Sequence, residues 1–246
     1  MENFLVNTNL PAFLNIHCLS CAYASRPWGP FGRKEIKKVL NNLNLEINNG
    51  EIFGITGQSG SGKSTLAKCI LGLVDFEGEI SINGKKRPGN NSSAVRKRNA
   101  FEAQAVFQNP GASLNPVKTI GWIMEEPLRA NGIGTPAERS IKVDEMLDLV
   151  GLDSVYKKRK PHELSSGQKQ RVSIGAALIL KPGLIVADEP VSALDVSVGA
   201  QIINLFRDLN KRLGLTLLFI SHNIELVTHL CGRTALIKDG KAIIYQ

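Results

Sequence analysis

The sequence predicts an α/β fold in which a mostly parallel sheet carries a phosphate-binding loop. Three observations predict it. Gly57-Gln58-Ser59-Gly60-Ser61-Gly62-Lys63-Ser64-Thr65 fits the pattern G-x-x-x-x-G-K-[ST]. The segment before it, Glu51 to Thr56, reads as a strand, and the segment after it, Leu66 to Leu71, reads as the start of a helix. Further on, Leu184-Ile185-Val186-Ala187 is an unbroken apolar run, as expected of a parallel strand buried on both faces.

Each element has its own chemical reason. The glycines of the loop allow backbone N–H groups to turn inward as an anion nest. The following helix adds the positive end of its dipole at the same point. Lys63 is then placed to reach β- and γ-phosphates, and Ser64 to ligate Mg²⁺. Asp188 and Glu189 follow the apolar run, at the C-terminal strand edge where open α/β sheets bind ligands. Two adjacent carboxylates there need a partner, because unpaired buried charge is costly. Mg²⁺ is that partner for Asp188, and Glu189 is the candidate to orient and polarise an attacking water.

The rest of the chain reads in order. Residues 13–24 and 43–56 look like strands of a β-rich edge. Gly78 to Ile82 reads as a strand ending in the turn Asn83-Gly84. Residues 86–100 are polar and basic, a loop or surface segment. From Asn109 to about Leu180 the pattern is mostly helical, with Gly151 closing the apolar spacing of Ile141 to Val150. Ser165 reads as an N-cap with Gln168 three residues on, and a helix from Gln168 to Leu180 is closed by Lys181-Pro182-Gly183. Val198 to Leu213 reads as an amphipathic helix ended by Gly214.

Leu164-Ser165-Ser166-Gly167-Gln168, taken alone, is an ordinary capped helix start. It stands in a series with the phosphate loop, Gln108 in Val106-Phe107-Gln108-Asn109-Pro110, Asp188-Glu189, Ser192-Ala193-Leu194-Asp195, and His222 after the apolar run Leu215 to Ile220. In this order the segments resemble the phosphate loop, Q-loop, signature, acidic strand, D-loop and switch histidine of ABC-type ATPases. The resemblance covers nearly the whole chain. It implies a P-loop NTPase core of RecA-like type, with an antiparallel β subdomain and an α-helical subdomain. Residues 1–108 and 181–246 would form the core with its β subdomain, and 109–180 the helical subdomain, within a single domain.

In that family two ATPase subunits pack head to tail, and ATP lies between one subunit's phosphate loop and the other's signature. The resemblance therefore implies ATP and Mg²⁺ as cofactors and a second ATPase subunit as partner. Nucleotide would be held by Gly57, Ser59, Gly60, Ser61, Gly62, Lys63, Ser64 and Thr65. Ser165, Gly167, Gln168 and Asp195 would act on the opposite subunit's site. Ser64, Asp188 and Gln108 would hold the metal. Glu189, His222 and Gln108 would be catalytic, with Gln108 also linking the site to a membrane subunit. Tyr23 is the candidate for stacking on adenine, separated from Gly57 by what looks like an inserted loop, Ser25 to Lys38.

A narrower resemblance is to the oligopeptide, dipeptide and nickel importers. It rests on Phe107-Gln108-Asn109-Pro110 running on to Ser113-Leu114-Asn115-Pro116, on Lys160-Pro161-His162-Glu163-Leu164, and on Asp188-Glu189-Pro190 running to Ser197. It implies two membrane permease subunits, an extracytoplasmic substrate-binding protein, a different ATPase as the second subunit, and a peripheral location on the cytoplasmic face of the cell membrane. Three departures stand out. Ser166 replaces the usual first glycine of the signature. Gly175-Ala176-Ala177 stands where an arginine is common. Relatives also continue into a tail, often with cysteines, beyond the position of Gln246, which tilts the expectation towards nickel or metallophore uptake.

Composition bounds these readings. At 246 residues the chain can bury a full α/β core, and 43% hydrophobic content is ordinary. No apolar run approaches a membrane span, and Met-Glu-Asn begins no signal peptide. The net charge of +8 gathers at Lys85 to Arg87, Arg96 to Arg98 and Lys157 to Lys160. Solvated loop charge explains these clusters better than lipid or nucleic acid, since no aromatic residues interleave them, and no nucleic-acid partner is expected. Cys18, Cys21, Cys69 and Cys231 fit a reducing compartment. The C-x-x-C spacing of Cys18 and Cys21 has no second pair, so core strand residues are expected there. Two alternatives stay open: a regulatory ATP-binding subunit of low turnover, and a soluble ABC ATPase acting on ribosomes or DNA.

Overall fold

The computed structural model describes residues 12–25, 35–89, 101–108, 111 and 114–245. The first two strands, β1 (Ala12–Ser25) and β2 (Glu35–Asn48), pair antiparallel. The short strand β3 (Ile52–Thr56) leads into the phosphate loop, and α1 (Lys63–Leu71) follows it. Next come β4 (Glu77–Ile82) and β5 (Lys85–Arg87), joined at Asn83 and Gly84, whose φ values of 49° and 72° make the expected tight turn. These strands complete a four-stranded antiparallel sheet in the order β2-β1-β4-β5.

The second sheet is built from β3, β6 (Ala103–Phe107), β7 (Leu184–Asp188), β8 (Thr216–Ile220), β9 (Arg233–Lys238) and β10 (Lys241–Tyr245). Its order is β10-β9-β3-β8-β7-β6, parallel throughout except for β10 on β9. Between β6 and β7 lie α2 (Ile120–Ala130), α3 (Pro136–Leu149), two 3₁₀ turns (Ser154–Lys158 and Pro161–Glu163) and α4 (Ser166–Leu178). Between β7 and β8 lies α5 (Val196–Leu213), and between β8 and β9 lies α6 (Ile224–Leu230).

The parallel strands read as continuous apolar runs because both of their faces are buried. Ile185, Ala187, Leu217 and Phe219 face a cluster that includes Met124, Leu128, Val143, Leu147, Val172 and Phe206 of the helices. Their neighbours Leu184, Val186, Leu218 and Ile220 face the other cluster, with Leu14, Ile16, Leu43 and Ile80 of the antiparallel sheet and Leu66 and Ile70 of α1. The sheet is therefore the middle layer, and α1 with its loop is gripped between the two sheets.

Several expected boundaries shift. The strand expected over 43–56 is two strands, broken by a turn at Gly50, whose φ is 70°. The segment Glu35 to Lys38, expected in an inserted loop, is the start of β2, because it can pair with Ala22 to Ser25 across the ladder; residues 26–34 lie outside the described residues. Lys85 to Arg87 form a strand and not a surface loop, and Arg87 is buried, donating to the carbonyl of Ile70 at the end of α1 and pairing with Glu102. The basic cluster Arg96 to Arg98 lies outside the described residues. Lys157 is no free surface charge either: its ammonium sits 2.8 Å from Asp144 and 2.7 Å from the Ser140 hydroxyl.

Candidate active site

Strand register assembles the site. Phe107 lies beside Asp188, Asp188 beside Ile220, and Ile220 beside Ile55. The residues that follow these positions within two places are Gln108, Glu189, Ser221-His222 and Thr56-Gly57. Residues far apart in sequence thus emerge together at the C-terminal edge of one parallel sheet, where ligand sites of open α/β sheets form.

The phosphate loop turns sharply out of β3. Gly57 has a φ of 149°, and a Cβ there would lie 2.6 Å from the carbonyl oxygen of Ile237, so no other residue fits. Gly62 caps α1 without a side-chain bond, and the first intrahelical bond runs from the Leu66 N–H to the Gly62 carbonyl. The N–H groups of Lys63, Ser64 and Thr65 therefore have no intrahelical acceptor and converge on the loop. The Lys63 ammonium is nearly buried and donates to the carbonyls of Gly57 (2.7 Å) and Gln58 (2.9 Å). A cavity of 590 Å³ opens beside Gln58, Ser59, Gly60 and Ser61. Its far wall includes Lys37, Lys38 and Val39 of β2 and Lys238 to Gly240 of the β9–β10 turn. No sequence motif marks those wall residues; the hairpin is brought there by a bond from the Asn41 N–H to the Gly240 carbonyl, 2.9 Å. Tyr23 is exposed on β1, directly across the ladder from Lys37.

Asp188 is hydrogen-bonded by the Ser64 side chain, which ties the acidic strand to the loop. Burial pushes its carboxyl above the usual carboxylate range, partly offset by the Ser64 bond, while the charge of Glu189 raises it further. Among the described residues its buried Oδ1 has no hydrogen-bond partner. Ser64 and Asp188 are hard oxygen donors side by side, a set that suits Mg²⁺, and the orphaned oxygen has an electrostatic need for a cation.

Glu189 adopts a φ of 53°, rare for a residue with a Cβ. The conformation is held at both ends: its N–H donates to the Ile220 carbonyl (2.9 Å), and the Ser192 hydroxyl donates to its carbonyl (3.0 Å). This turn aims the carboxylate back at His222. Nδ1 of His222 lies 2.9 Å from both carboxylate oxygens, and the His222 N–H donates to Oε1 at 3.0 Å. The carboxylate is mostly buried while the imidazole is largely exposed, so the ring's Nε2 faces away from Glu189. Gln108 is exposed at the bend after β6.

The Ser165 segment lies elsewhere. Ser165 caps α4: its Oγ accepts from the Gln168 N–H (3.3 Å), and Gln168 Oε1 accepts from the Ser165 N–H (2.9 Å). Gln168 Nε2 donates to the Tyr156 hydroxyl at 2.7 Å, so its amide is committed at both ends within the chain. Ser165 Oγ keeps its proton for an external acceptor. Ser166 is exposed in the first turn of α4, where a side chain meets no obstacle; Gly167 is buried, and a Cβ there would lie 2.5 Å from Val198 Cγ1. That contrast explains why serine is tolerated at the first of these two positions. Asp195 caps α5, accepting from the Val198 N–H at 2.9 Å, with the Ser197 hydroxyl at the same distance. A hollow of 350 Å³ is lined by Ser165, Gly167, Gln168, Tyr156 and Arg171, and it shares no wall with the phosphate-loop cavity. One chain thus presents two separate cavities. Gly175 packs against Met124 and Met146, which would collide with a Cβ; nothing in the structure explains the lack of an arginine in Gly175-Ala176-Ala177.

Comparison with known proteins decides the family. The family model for ABC transporters matches residues 40–192. The chain belongs to the ABC transporter family. It is 45% identical over 216 residues to the dipeptide transport ATP-binding protein DppF of Lactococcus lactis subsp. cremoris, covering 86% of this chain and 69% of that protein. It is 44% identical over 210 residues to a putative peptide import ATP-binding protein of Brucella ovis, covering 85% and 66%. The chain therefore spans about two thirds of the length of these relatives. The fold matches the ATP-binding cassette MJ0796 in a dimeric post-hydrolysis state bound to ADP and Pi, with a TM-score of 0.81 and 32% identity, covering 95% of this chain and 98% of that one. The expected α/β core with its antiparallel and helical parts is the observed ABC cassette. Among the described residues no helix is long and apolar enough to cross a membrane.

Proposed function

We propose that this chain is the ATP-binding and ATP-hydrolysing subunit of an ABC importer for peptides. The observation that carries the catalytic reading is the Glu189–His222 pair beside Asp188 and the phosphate loop. ATP would place its phosphates on the loop N–H groups and Lys63, and its base against Tyr23. Ser64, Asp188 and Gln108 would hold Mg²⁺, which supplies positive charge at the phosphate oxygens when bound. Glu189 accepts the proton of a water aimed at the γ-phosphate, and the His222 bond fixes the direction of its carboxylate.

The two separate cavities support a head-to-tail pair of ATPase chains. The Ser165 hydroxyl would donate a hydrogen bond to the ATP held by the partner's loop. Peptide uptake is supported by the names of the curated relatives, DppF among them; nickel is the other substrate class of the importers this chain resembles. Permease subunits and a substrate-binding protein complete such an importer, with this chain on the cytoplasmic membrane face.

Glu189→Gln should bind ATP and lose turnover by about 10²- to 10⁴-fold, the range for a lost general base. Undiminished Mg²⁺-dependent hydrolysis by that variant would remove Glu189 from its role. The substrate class is tested in vesicles carrying the permease pair: a peptide-loaded binding protein should stimulate ATPase activity, and stimulation by a nickel-loaded one alone would overturn the peptide reading.

A further inference from the structure

Cys21 on β1 and Cys69 on α1 are hydrogen-bonded, thiol to thiol, and Cys21 Sγ also donates to the Asp75 carbonyl at 3.4 Å. Both are free and buried. The C-x-x-C spacing hides this pair, because Cys18 turns instead to His17, its Sγ 3.4 Å from Nε2. The two thiols lie together in the buried cluster shared by β1 and α1. Cys69 lies on the helix that Lys63 opens, and Cys21 lies two residues before Tyr23. A cavity of 250 Å³, lined by Ser20, Cys21, Lys38, Asp75 and Glu77, leads to Cys21, and Lys38 also lines the phosphate-loop cavity.

We propose that Cys21 and Cys69 form a reversible disulfide, made by hydrogen peroxide entering this cavity, which weakens nucleotide binding. The coupling to affinity rests on the ATP reading above; the disulfide itself does not. Cys21 gives up its proton and its sulfur attacks a peroxide oxygen; the O–O bond breaks, water leaves, and a sulfenic acid forms. The Cys69 sulfur then attacks the Cys21 sulfur; the S–O bond breaks, and a second water leaves with the Cys69 proton. Two thiols are oxidised by two electrons, and one peroxide is reduced to two waters. Burial raises both thiols, so the reaction is slow at neutral pH and speeds up as pH rises.

Closing the bond brings the sulfurs to about 2.05 Å, which draws β1 and α1 together. The register of β1 on β2 is irregular on both sides of Cys21, whereas Cys69 is fixed among buried Leu66, Ala67 and Ile70. The strand yields, and Tyr23 moves with it.

The test is made on the full chain with hydrogen peroxide, peptide mapping by mass spectrometry, and titration with a fluorescent ATP analogue. The expected result is a linked Cys21–Cys69 peptide, lighter by two hydrogens and lost on reduction. The Kd for the analogue should rise about tenfold and recover with a thiol reductant, the order of a lost base–aromatic stack. Cys69→Ala and Cys21→Ala should keep the reduced affinity and lose the peroxide response; either variant suffices if the other fails to fold. The proposal is overturned if peroxide oxidises Cys18 while Cys21 and Cys69 stay thiols, or if the disulfide leaves affinity unchanged. Failure of the reduced chain to bind the analogue would sink the ATP reading and the coupling with it, while the peptide map still decides the disulfide.

Discussion

Asp188 and Glu189 are neighbours in sequence with opposite surroundings. Asp188 points towards Ser64 with one oxygen orphaned, and Glu189 turns through a positive φ onto His222. Because the folded carboxyl of Asp188 is raised, the stability it contributes is present below the unfolded carboxylate pKa and is lost as pH rises through the folded value. At pH 7 the ionised form is a net penalty. Asp188→Asn should therefore raise Tm at pH 7 in the absence of nucleotide, by about 2–4 °C per kcal/mol relieved. The gain should shrink on acidification towards the usual carboxylate range, and the stabilisation by Mg²⁺ and ATP should be lost. Thermal unfolding at several pH values checks this, and a lower Tm for the variant at pH 7 would refute it. Both acids stood out in the sequence, Asp188 as a candidate metal ligand and Glu189 as a candidate to polarise water. The strained turn of Glu189 did not, because φ depends on the bonds from Ile220 and Ser192 and not on the residue type.

Helix α4 concentrates the element-scale forces. Its capping box was legible as the spacing of Ser165 and Gln168, and its N-terminus lies where that spacing puts it. Its packing was not legible. Gly167→Ala should push α4 away from Val198 and destabilise the chain by about 1–3 kcal/mol, whereas Ser166→Gly should change stability by less than about 1 kcal/mol. Denaturant titration separates the two, and equal effects would refute the packing account. Gln170 is fully buried on the same helix, and among the described residues neither of its amide atoms has a hydrogen-bond partner. Gln170→Met keeps the volume and removes the polar burden, so it should stabilise by about 1–3 kcal/mol; loss of stability would show that a bound water or a partner satisfies the amide. Strand β5 shows the reverse case. Arg87 reads as part of a basic surface cluster, yet it is buried against the end of α1 and Glu102. Composition cannot distinguish a solvated cation from a buried paired one.

At the scale of the whole molecule, the sheet order brings Gln108, Glu189, His222 and the phosphate loop to one edge, while the Ser165 hollow opens elsewhere. If each chain supplies half of two sites, specific ATPase activity should rise with protein concentration, or with an equimolar paired ATPase chain. Activity independent of both would refute the shared-site arrangement. The amino-acid sequence by itself determined the family, the phosphate loop, the two acids and the helix caps. These depend on local patterns: glycines at fixed spacing, a side chain bonding a backbone three residues away, an apolar run of strand length. Only the tertiary structure decided which residues wall the cavity beside the phosphate loop, which of Ser165 and Ser166 is free to vary, and which cysteines touch. Lys37, Lys238, Val198 and Cys69 meet their partners across sheets and helices packed in layers, and such contacts depend on three-dimensional register, which no spacing along the chain encodes.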